Sequence, residues 1–226
     1  MSVEIRRATA RFTERHPGRA TWHAFSFGEH YDPERLSFGP MVCHDEHLLG
    51  CGTGFETHRH QGLDIVTWVV SGALTHTDPS GSVTLEPGQV GWLHAGDGVE
   101  HSEVAAAPQT RWVQVWLTAP DDAPAEPAYA VHPVPPAPGE VVEALRLGPD
   151  RALHVARLAA GDTVTLPEAA RRHVYVASGA LTRSSEAEPL HAGDAFLFTA
   201  EDGDAGGPVE ITAAVPTELL VWELPA

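Results

Sequence analysis

The chain has 226 residues, of which 42% are hydrophobic, enough for one large or two modest globular domains with a sizeable core. Its 14 Lys and Arg against 31 Asp and Glu give a formal net charge of −17. That balance disfavours nucleic acid and anionic membranes as direct partners, because phosphate binding needs a basic surface. The sequence shows no apolar run of transmembrane length and no apolar segment after its charged N-terminus, so we expect a cytoplasmic protein.

One group of potential ligands lies just before the candidate site, in the run Cys-His-Asp-Glu-His at residues 43–47. This run could hold a metal, but a solvated turn is the preferred interpretation for His44 and His47. The chain has two cysteines, Cys43 and Cys51. Reduced thiols are expected in a cytosolic chain of this size, and a redox-sensitive pair near the site is the alternative.

Two pairs of potential metal ligands follow, each with one residue between its members. His58 and His60 form the first pair, and His101 and Glu103 form the second. Side chains at i and i+2 of a β-strand point to the same face, so each pair would project together. If the two strands are neighbours in a small barrel, three imidazoles and one carboxylate converge inside it. This donor set suits Fe(II), Mn(II), Ni(II) or Cu(II), with Zn also possible, and an octahedral ion would keep two positions open.

Other residues of the same region carry weaker signals. His76 and His94 could be outer partners of the metal ligands, or strand histidines with backbone partners. A tryptophan that faced the pocket would suit an aromatic substrate. Four tryptophans are predicted to lie on strands and to belong to the core: Trp68, Trp92, Trp112 and Trp116.

Short apolar runs separated by glycine and proline turns recur along the chain and predict a mostly β fold. Residues 121–140, rich in Pro, Ala and acidic side chains, are predicted to be an extended linker. Residues 140–147 could form one short helix, because they follow a Pro-Gly breaker pair. The predicted organisation is an N-terminal barrel over 1–120, the linker, and a C-terminal barrel over 141–226.

The two predicted barrels resemble each other in sequence. Residues 70–75 read Val-Ser-Gly-Ala-Leu-Thr, and residues 177–182 read Ala-Ser-Gly-Ala-Leu-Thr. The second copy has Thr165 and Pro167 where the first has its histidine pair, and Gly-Gly-Pro at 206–208 near the counterpart of the second pair. We therefore expect one working barrel and one degenerate barrel without metal ligands.

These motifs resemble those of the cupins. Residues 52–72, with Asp64 in place of the usual Glu, look like the first cupin motif. Residues 88–101, with His94 where proline is usual, resemble the second motif. The His-Ser-Glu at 101–103 resembles the pirin family, and especially its bacterial quercetinase-like members. This resemblance is dense from residue 4 to about residue 118 and implies a bicupin of two jelly-roll β-barrels in tandem.

The resemblance also implies a set of site residues. Asp64 falls on a position that is an outer neighbour of the site in the family, and Arg59 stands where proline is usual, on the strand face that points away from the ligands. The family's metal ligands fall on the four residues found from spacing: His58, His60, His101 and Glu103.

Members of the pirin family bind iron or other divalent metals, and some open the flavonol quercetin with O2 as 2,3-dioxygenases. The resemblance therefore implies an Fe(II)-dependent oxidoreductase with a small aromatic substrate. The four-ligand constellation itself motivates the hypothesis that Glu103 is both a ligand and the acceptor of a substrate proton. Other members regulate partner proteins, so the alternative is a non-catalytic metal-binding regulator that docks a partner according to metal redox state. A sugar- or small-acid-binding cupin or isomerase is a weaker alternative. A cavity wide enough for a flat phenol would favour the enzyme.

Overall fold

The computed structural model describes residues 1–184, 187–200 and 207–226, and its regular structure is almost all β-strand. One 3-10 turn spans Ala8–Ala10. No helix among the described residues is long and apolar enough to cross a membrane. The predicted all-β class is therefore confirmed.

Contacts divide the chain into two compact units, residues 12–133 and residues 1–11 with 134–226. The N-terminal unit contains strands β2 to β12: β2 Phe12–His16, β3 Arg19–His23, β4 Met41–Leu49, β5 Gly54–His60, β6 Leu63–Ser71, β7 Leu74–Asp78, β8 Gly81–Leu85, β9 Gln89–His94, β10 Val99–Ala105, β11 Thr110–Thr118 and β12 Ala128–Pro133. The C-terminal unit contains the others: β1 Ser2–Arg6, β13 Val141–Gly148, β14 Arg151–Leu158, β15 Thr163–Thr165, β16 Arg171–Ser178, β17 Ala195–Thr199, β18 Glu210–Thr212 and β19 Thr217–Leu224.

These units correct the predicted boundaries at two places. Strand β1, predicted in the first barrel, pairs antiparallel with β17 and belongs to the C-terminal unit. Strand β12, within the predicted linker 121–140, pairs antiparallel with β9 in the N-terminal unit. The proline-rich sequence on both sides of β12 dominates the composition of this region, so the strand-forming residues Ala-Tyr-Ala-Val at 128–131 were not recognised as a strand.

The helix predicted over 140–147 was wrong. These residues form β13, which pairs antiparallel with β14. The register shifts between Glu143 and Leu145, so the apolar residues lose the alternation that marks a strand. Tertiary pairing overrides the local helical spacing, and Val141 packs against the apolar core of this unit.

The N-terminal unit contains two sheets in a jelly-roll arrangement. The larger sheet has the order β12-β9-β6-β11-β4-β3-β2, and the smaller has the order β5-β10-β7-β8. Period-2 alternation on these strands sends one set of side chains inward. An apolar cluster closes part of the interior: Leu49, Val69, Leu74, Leu85, Ala105 and Trp112.

The C-terminal unit contains a six-stranded sheet, β1-β17-β16-β19-β14-β13, and the two-stranded sheet β15-β18. Its interior is apolar, with Val174, Phe196 and Val221 among its buried residues. Within its described residues, His, Cys, Asp and Glu form no group able to hold a metal. Among the residues predicted to correspond to the metal ligands of the first barrel, Gly206 lies outside the described residues.

The two copies of the internal repeat form the same hydrogen bond beside the same glycine turn, one in each unit. Gly72 has φ +78° and Gly179 has φ +83°, a backbone conformation that favours glycine. The hydroxyl of Thr110 donates to the carbonyl of residue 73 at 3.0 Å, and the hydroxyl of Thr217 donates to the carbonyl of residue 180 at 3.0 Å. The same Gly–Thr turn therefore closes corresponding strands in both units.

Candidate metal centre

Three of the predicted ligands meet in the N-terminal unit. His58 and His60 lie on β5, and His101 lies on β10, opposite His58 in the antiparallel register. Their potential ligand nitrogens all lie within 4.8 Å of one another. The ring centroids of His58 and His101 are 4.5 Å apart, and those of His60 and His101 are 5.1 Å apart. The i, i+2 spacing thus produces the convergence that the sequence predicted.

Glu103, the fourth predicted ligand, lies beside this histidine cluster. A β-bulge between His101 and Glu103 shifts the register with β5. Potential ligand atoms of Glu103, His101 and His76 form a second group within 4.8 Å. The side-chain amide of Gln114 lies 2.8 Å from both carboxylate oxygens of Glu103 and donates to them. Burial raises the pKa of Glu103, and the Gln114 hydrogen bond opposes that shift.

The ring nitrogens of the cluster fit a metal. His58 donates from Nδ1 to the backbone carbonyl of Glu56 at 2.7 Å, which leaves its Nε2 as a lone-pair donor. Nε2 of His60 and Nε2 of His101 are buried and have no hydrogen-bond partner among the described residues. Buried polar atoms are normally satisfied, and a metal ion would satisfy both nitrogens.

Electrostatics keeps these imidazoles in the form that binds metals. Burial, together with the neighbouring His58, lowers the pKa of His60 to about 4. Burial and the neighbouring histidines lower the pKa of His101 to about 3. Both rings are therefore neutral at pH 7, and neutral imidazole is the ligand form of histidine.

Of the two candidate outer partners, His76 contacts a predicted ligand. Its Nδ1 lies 3.4 Å from Nδ1 of His101, and its Nε2 lies 3.2 Å from a carboxylate oxygen of Asp78. The His76 ring also stacks on Tyr129, with ring centroids 3.7 Å apart. These contacts hold the His101 ring with Nε2 directed away from His76, an arrangement typical of histidines that bind metals.

His94 and Asp64 form a separate buried pair. The two ring nitrogens of His94 lie 2.9 Å from the Asp64 carboxylate and 2.7 Å from the carbonyl of Pro124. Asp64 also accepts a hydrogen bond from Trp92 at 2.9 Å. The hydrogen bonds of Asp64 thus join β6 to β9, and its role as an outer neighbour of the metal ligands stays a prediction.

A cavity of about 550 Å³ opens beside the cluster, and both His58 and Glu103 line it. Phe27, Phe55 and Trp116 give it an aromatic lining. The Trp116 ring lies 4.7 Å from that of His60 and is half-buried, whereas Trp68 and Trp112 are fully buried in the core. One of the four predicted core tryptophans therefore faces the cavity.

The run at residues 43–47 is a buried strand segment, which corrects the predicted solvated turn. His44 and His47 lie on β4 and are 1% and 3% exposed. The groups of potential metal ligands among the described residues include neither histidine. Two contacts were not predicted from the sequence: Gln114 bonds Glu103, and His23 forms an ion pair with Asp45. The i, i+2 spacing on β3 and β4 places each residue pair on one face, but the sequence does not show that these two strands are neighbours.

Comparisons with known proteins agree with this architecture. The family model described as Pirin matches residues 4–117. A Mycobacterium tuberculosis protein named "Putative quercetin 2,3-dioxygenase" is 36% identical over 241 residues, which cover 100% of this chain and 96% of that protein. The protein named quercetin 2,3-dioxygenase in Escherichia coli K12 is 30% identical over 118 residues, or 51% of each chain. The crystal structure of the bacterial pirin YhhW from Escherichia coli in complex with nickel(II) has the same fold, with a TM-score of 0.87, 24% identity and 99% of each chain covered.

Proposed function

We propose a function from one premise: this chain belongs to the pirin family. We infer that it holds one divalent transition metal in its N-terminal unit and oxidises a small phenolic or flavonol substrate with O2. The observation that carries this proposal is the histidine cluster, which opens into an aromatic cavity through His58.

The proposed metal ligands are the predicted four: His58, His60, His101 and Glu103. The Nε2 atoms of His60 and His101 support this assignment, since both are buried and make no hydrogen bond with the described residues. We propose Fe(II), because a set of imidazoles and one carboxylate with open positions suits iron and O2 chemistry. The nickel(II) complex of the E. coli pirin agrees with a divalent ion in a protein of this fold.

In the proposed reaction, Glu103 accepts the proton of a substrate hydroxyl. The bound metal supplies a Lewis-acid site where the substrate oxygen and O2 can meet. Burial raises the pKa of Glu103, which makes its carboxylate a stronger base than an exposed glutamate. Gln114 holds both of its oxygens and thereby fixes where the proton is received. The aromatic side chains of the cavity wall orient the flat substrate.

The cavity favours an enzyme over a docking protein. Its volume of about 550 Å³ lies within the roughly 300–1,000 Å³ typical of small-molecule sites. Trp116 and Phe27 contact each other edge to face, with centroids 5.5 Å apart, and offer a surface for aromatic stacking. A regulator that signalled only through its exterior would not require such a cavity.

O2 uptake by Fe(II)-reconstituted protein with quercetin tests this function. Glu103→Gln should keep part of the metal and lose quercetin-dependent O2 consumption. Glu100→Gln is the matched control, because Glu100 lies on the same strand with its side chain exposed. Unchanged turnover in Glu103→Gln would exclude the proposed proton acceptor. Stoichiometric metal without O2 uptake would exclude quercetin as the substrate and favour the regulatory alternative.

A further inference from the structure

A second polar centre lines the same cavity on strands that carry none of the proposed ligands. Thr21 and His23 lie at i, i+2 on β3, and Asp45 and His47 lie at i, i+2 on β4. The antiparallel register places Thr21 opposite His47 and His23 opposite Asp45. All four side chains therefore share one face, and all four line the cavity together with His58 and Glu103.

His23 and Asp45 form a tightly held pair. Nδ1 of His23 lies 2.7 Å from Oδ2 of Asp45, so the ring donates its Nδ1 proton to the carboxylate. The two side chains are 2% and 4% exposed. The His23 ring stacks on Phe27, with centroids 5.1 Å apart and planes 12° apart. Its orientation is therefore fixed by a charged hydrogen bond on one edge and by an aromatic ring on one face.

The opposite nitrogen of this ring has Glu14 as a charged neighbour but no partner at close hydrogen-bonding distance. Nε2 of His23 is buried and makes no hydrogen bond with the described residues. It lies 3.7 Å from a carboxylate oxygen of Glu14, a distance that allows an ion pair but is long for a hydrogen bond. A buried polar atom without a partner is costly unless a ligand supplies one.

We propose that His23, positioned by Asp45, is a specificity-determining residue that hydrogen-bonds an outer hydroxyl of the phenolic substrate through Nε2. The inference rests on the proposed function, since it takes the substrate class from it. A hydroxyl is the group that fits, because it can both donate and accept. Burial lowers the pKa of His23, but Asp45 and Glu14 outweigh that effect and raise it. Nε2 presents a lone pair when the ring is neutral and a proton when the ring is charged. A hydroxyl pairs with both forms, whereas a carbonyl oxygen pairs only with the second.

Anaerobic binding of two flavonols to Ni(II)-loaded protein tests this role without turnover. Quercetin carries hydroxyls on its outer rings, and 3-hydroxyflavone carries only the hydroxyl beside its carbonyl. Wild-type protein should bind quercetin more tightly, and His23→Leu should reduce that preference by about tenfold, the value of one hydrogen bond. Affinity for 3-hydroxyflavone and the metal content should stay within about twofold, as expected if the distal contact alone is lost. His23→Asn, which restores a hydrogen-bonding group, should recover part of the preference and covers the case in which His23→Leu fails to fold.

His30→Leu is the matched control, because the His30 ring lies 6.0 Å from that of His23 and does not line the cavity. It should keep the wild-type preference. An unchanged preference in His23→Leu, or an equal loss for both flavonols, would overturn the role of His23 while leaving the proposed function standing. Failure of the wild-type protein to bind either flavonol would overturn the proposed function and this inference together.

Discussion

Gln114→Leu tests whether the carboxylate of Glu103 is held ready for a metal. Glu103 is 3% exposed, and the Gln114 amide nitrogen lies 2.8 Å from each of its oxygens. Outer partners that orient a metal ligand typically contribute about 10- to 100-fold to metal affinity, so the loss of this hydrogen bond should weaken metal binding by about that factor. Leucine is close to glutamine in size and removes the donor without opening a large cavity.

Competition between the protein and a chromogenic chelator for Ni(II) measures this loss directly. Gln89→Leu is the control, because Gln89 lies at the start of β9 and bonds the backbone of Glu86. It should bind Ni(II) like the wild type, and thermal unfolding should show that both variants are folded. If Gln114→Leu binds Ni(II) as tightly as the wild type, Gln114 does not hold a metal-binding carboxylate and the ligand role of Glu103 loses its support.

Two further predictions concern the stability of the N-terminal unit. Gly52 and Gly72 both have φ +78°, but only at Gly72 would a Cβ meet another strand. In urea unfolding, Gly52→Ala should lower the free energy of unfolding by about 1–2 kcal/mol, and Gly72→Ala should lower it further. Equal losses in the two variants would contradict the close packing at Gly72. Burial lowers the pKa of His94, but the Pro124 carbonyl and Asp64 outweigh that effect and raise it. The stabilisation that protonated His94 gives the fold is therefore complete below its ordinary pKa of 6.5 and is lost as the pH rises through the raised pKa. The stability difference between wild type and His94→Gln should therefore shrink as pH rises from about 6 to about 9, and a constant difference would refute the assignment.

The ligand cluster could be predicted because it depends on local spacing. In His58-Arg-His60, the period of the strand alone places both imidazoles on one face and Arg59 on the other, where it is exposed and bonds Gln61 and Asp97. The repeated Ser-Gly-Ala-Leu-Thr segment likewise predicted equivalent turns, since a positive φ at glycine is a local requirement.

The sequence could not reveal features that depend on which strands become neighbours. Gln114 reaches Glu103 from β11, and His23 reaches Asp45 across the β3–β4 pair, although 22 residues separate them in sequence. Strand β12 was predicted to be part of a linker, because its six residues lie in a proline-rich region. At residues 43–47, polar side chains suggested a solvated turn, but all five residues are buried and lie on a strand that pairs with β3 and β11.

Metal content per chain is the most direct test of the central claim that three histidines and Glu103 form one metal site. Wild-type protein reconstituted with Fe(II) or Ni(II) and desalted should hold about one ion per chain, and His101→Ala should hold almost none. His191→Ala, which removes an exposed histidine of the C-terminal unit, should keep the wild-type content. Full metal content in His101→Ala, or no bound metal in the wild type, would contradict the assignment of this cluster as the metal centre.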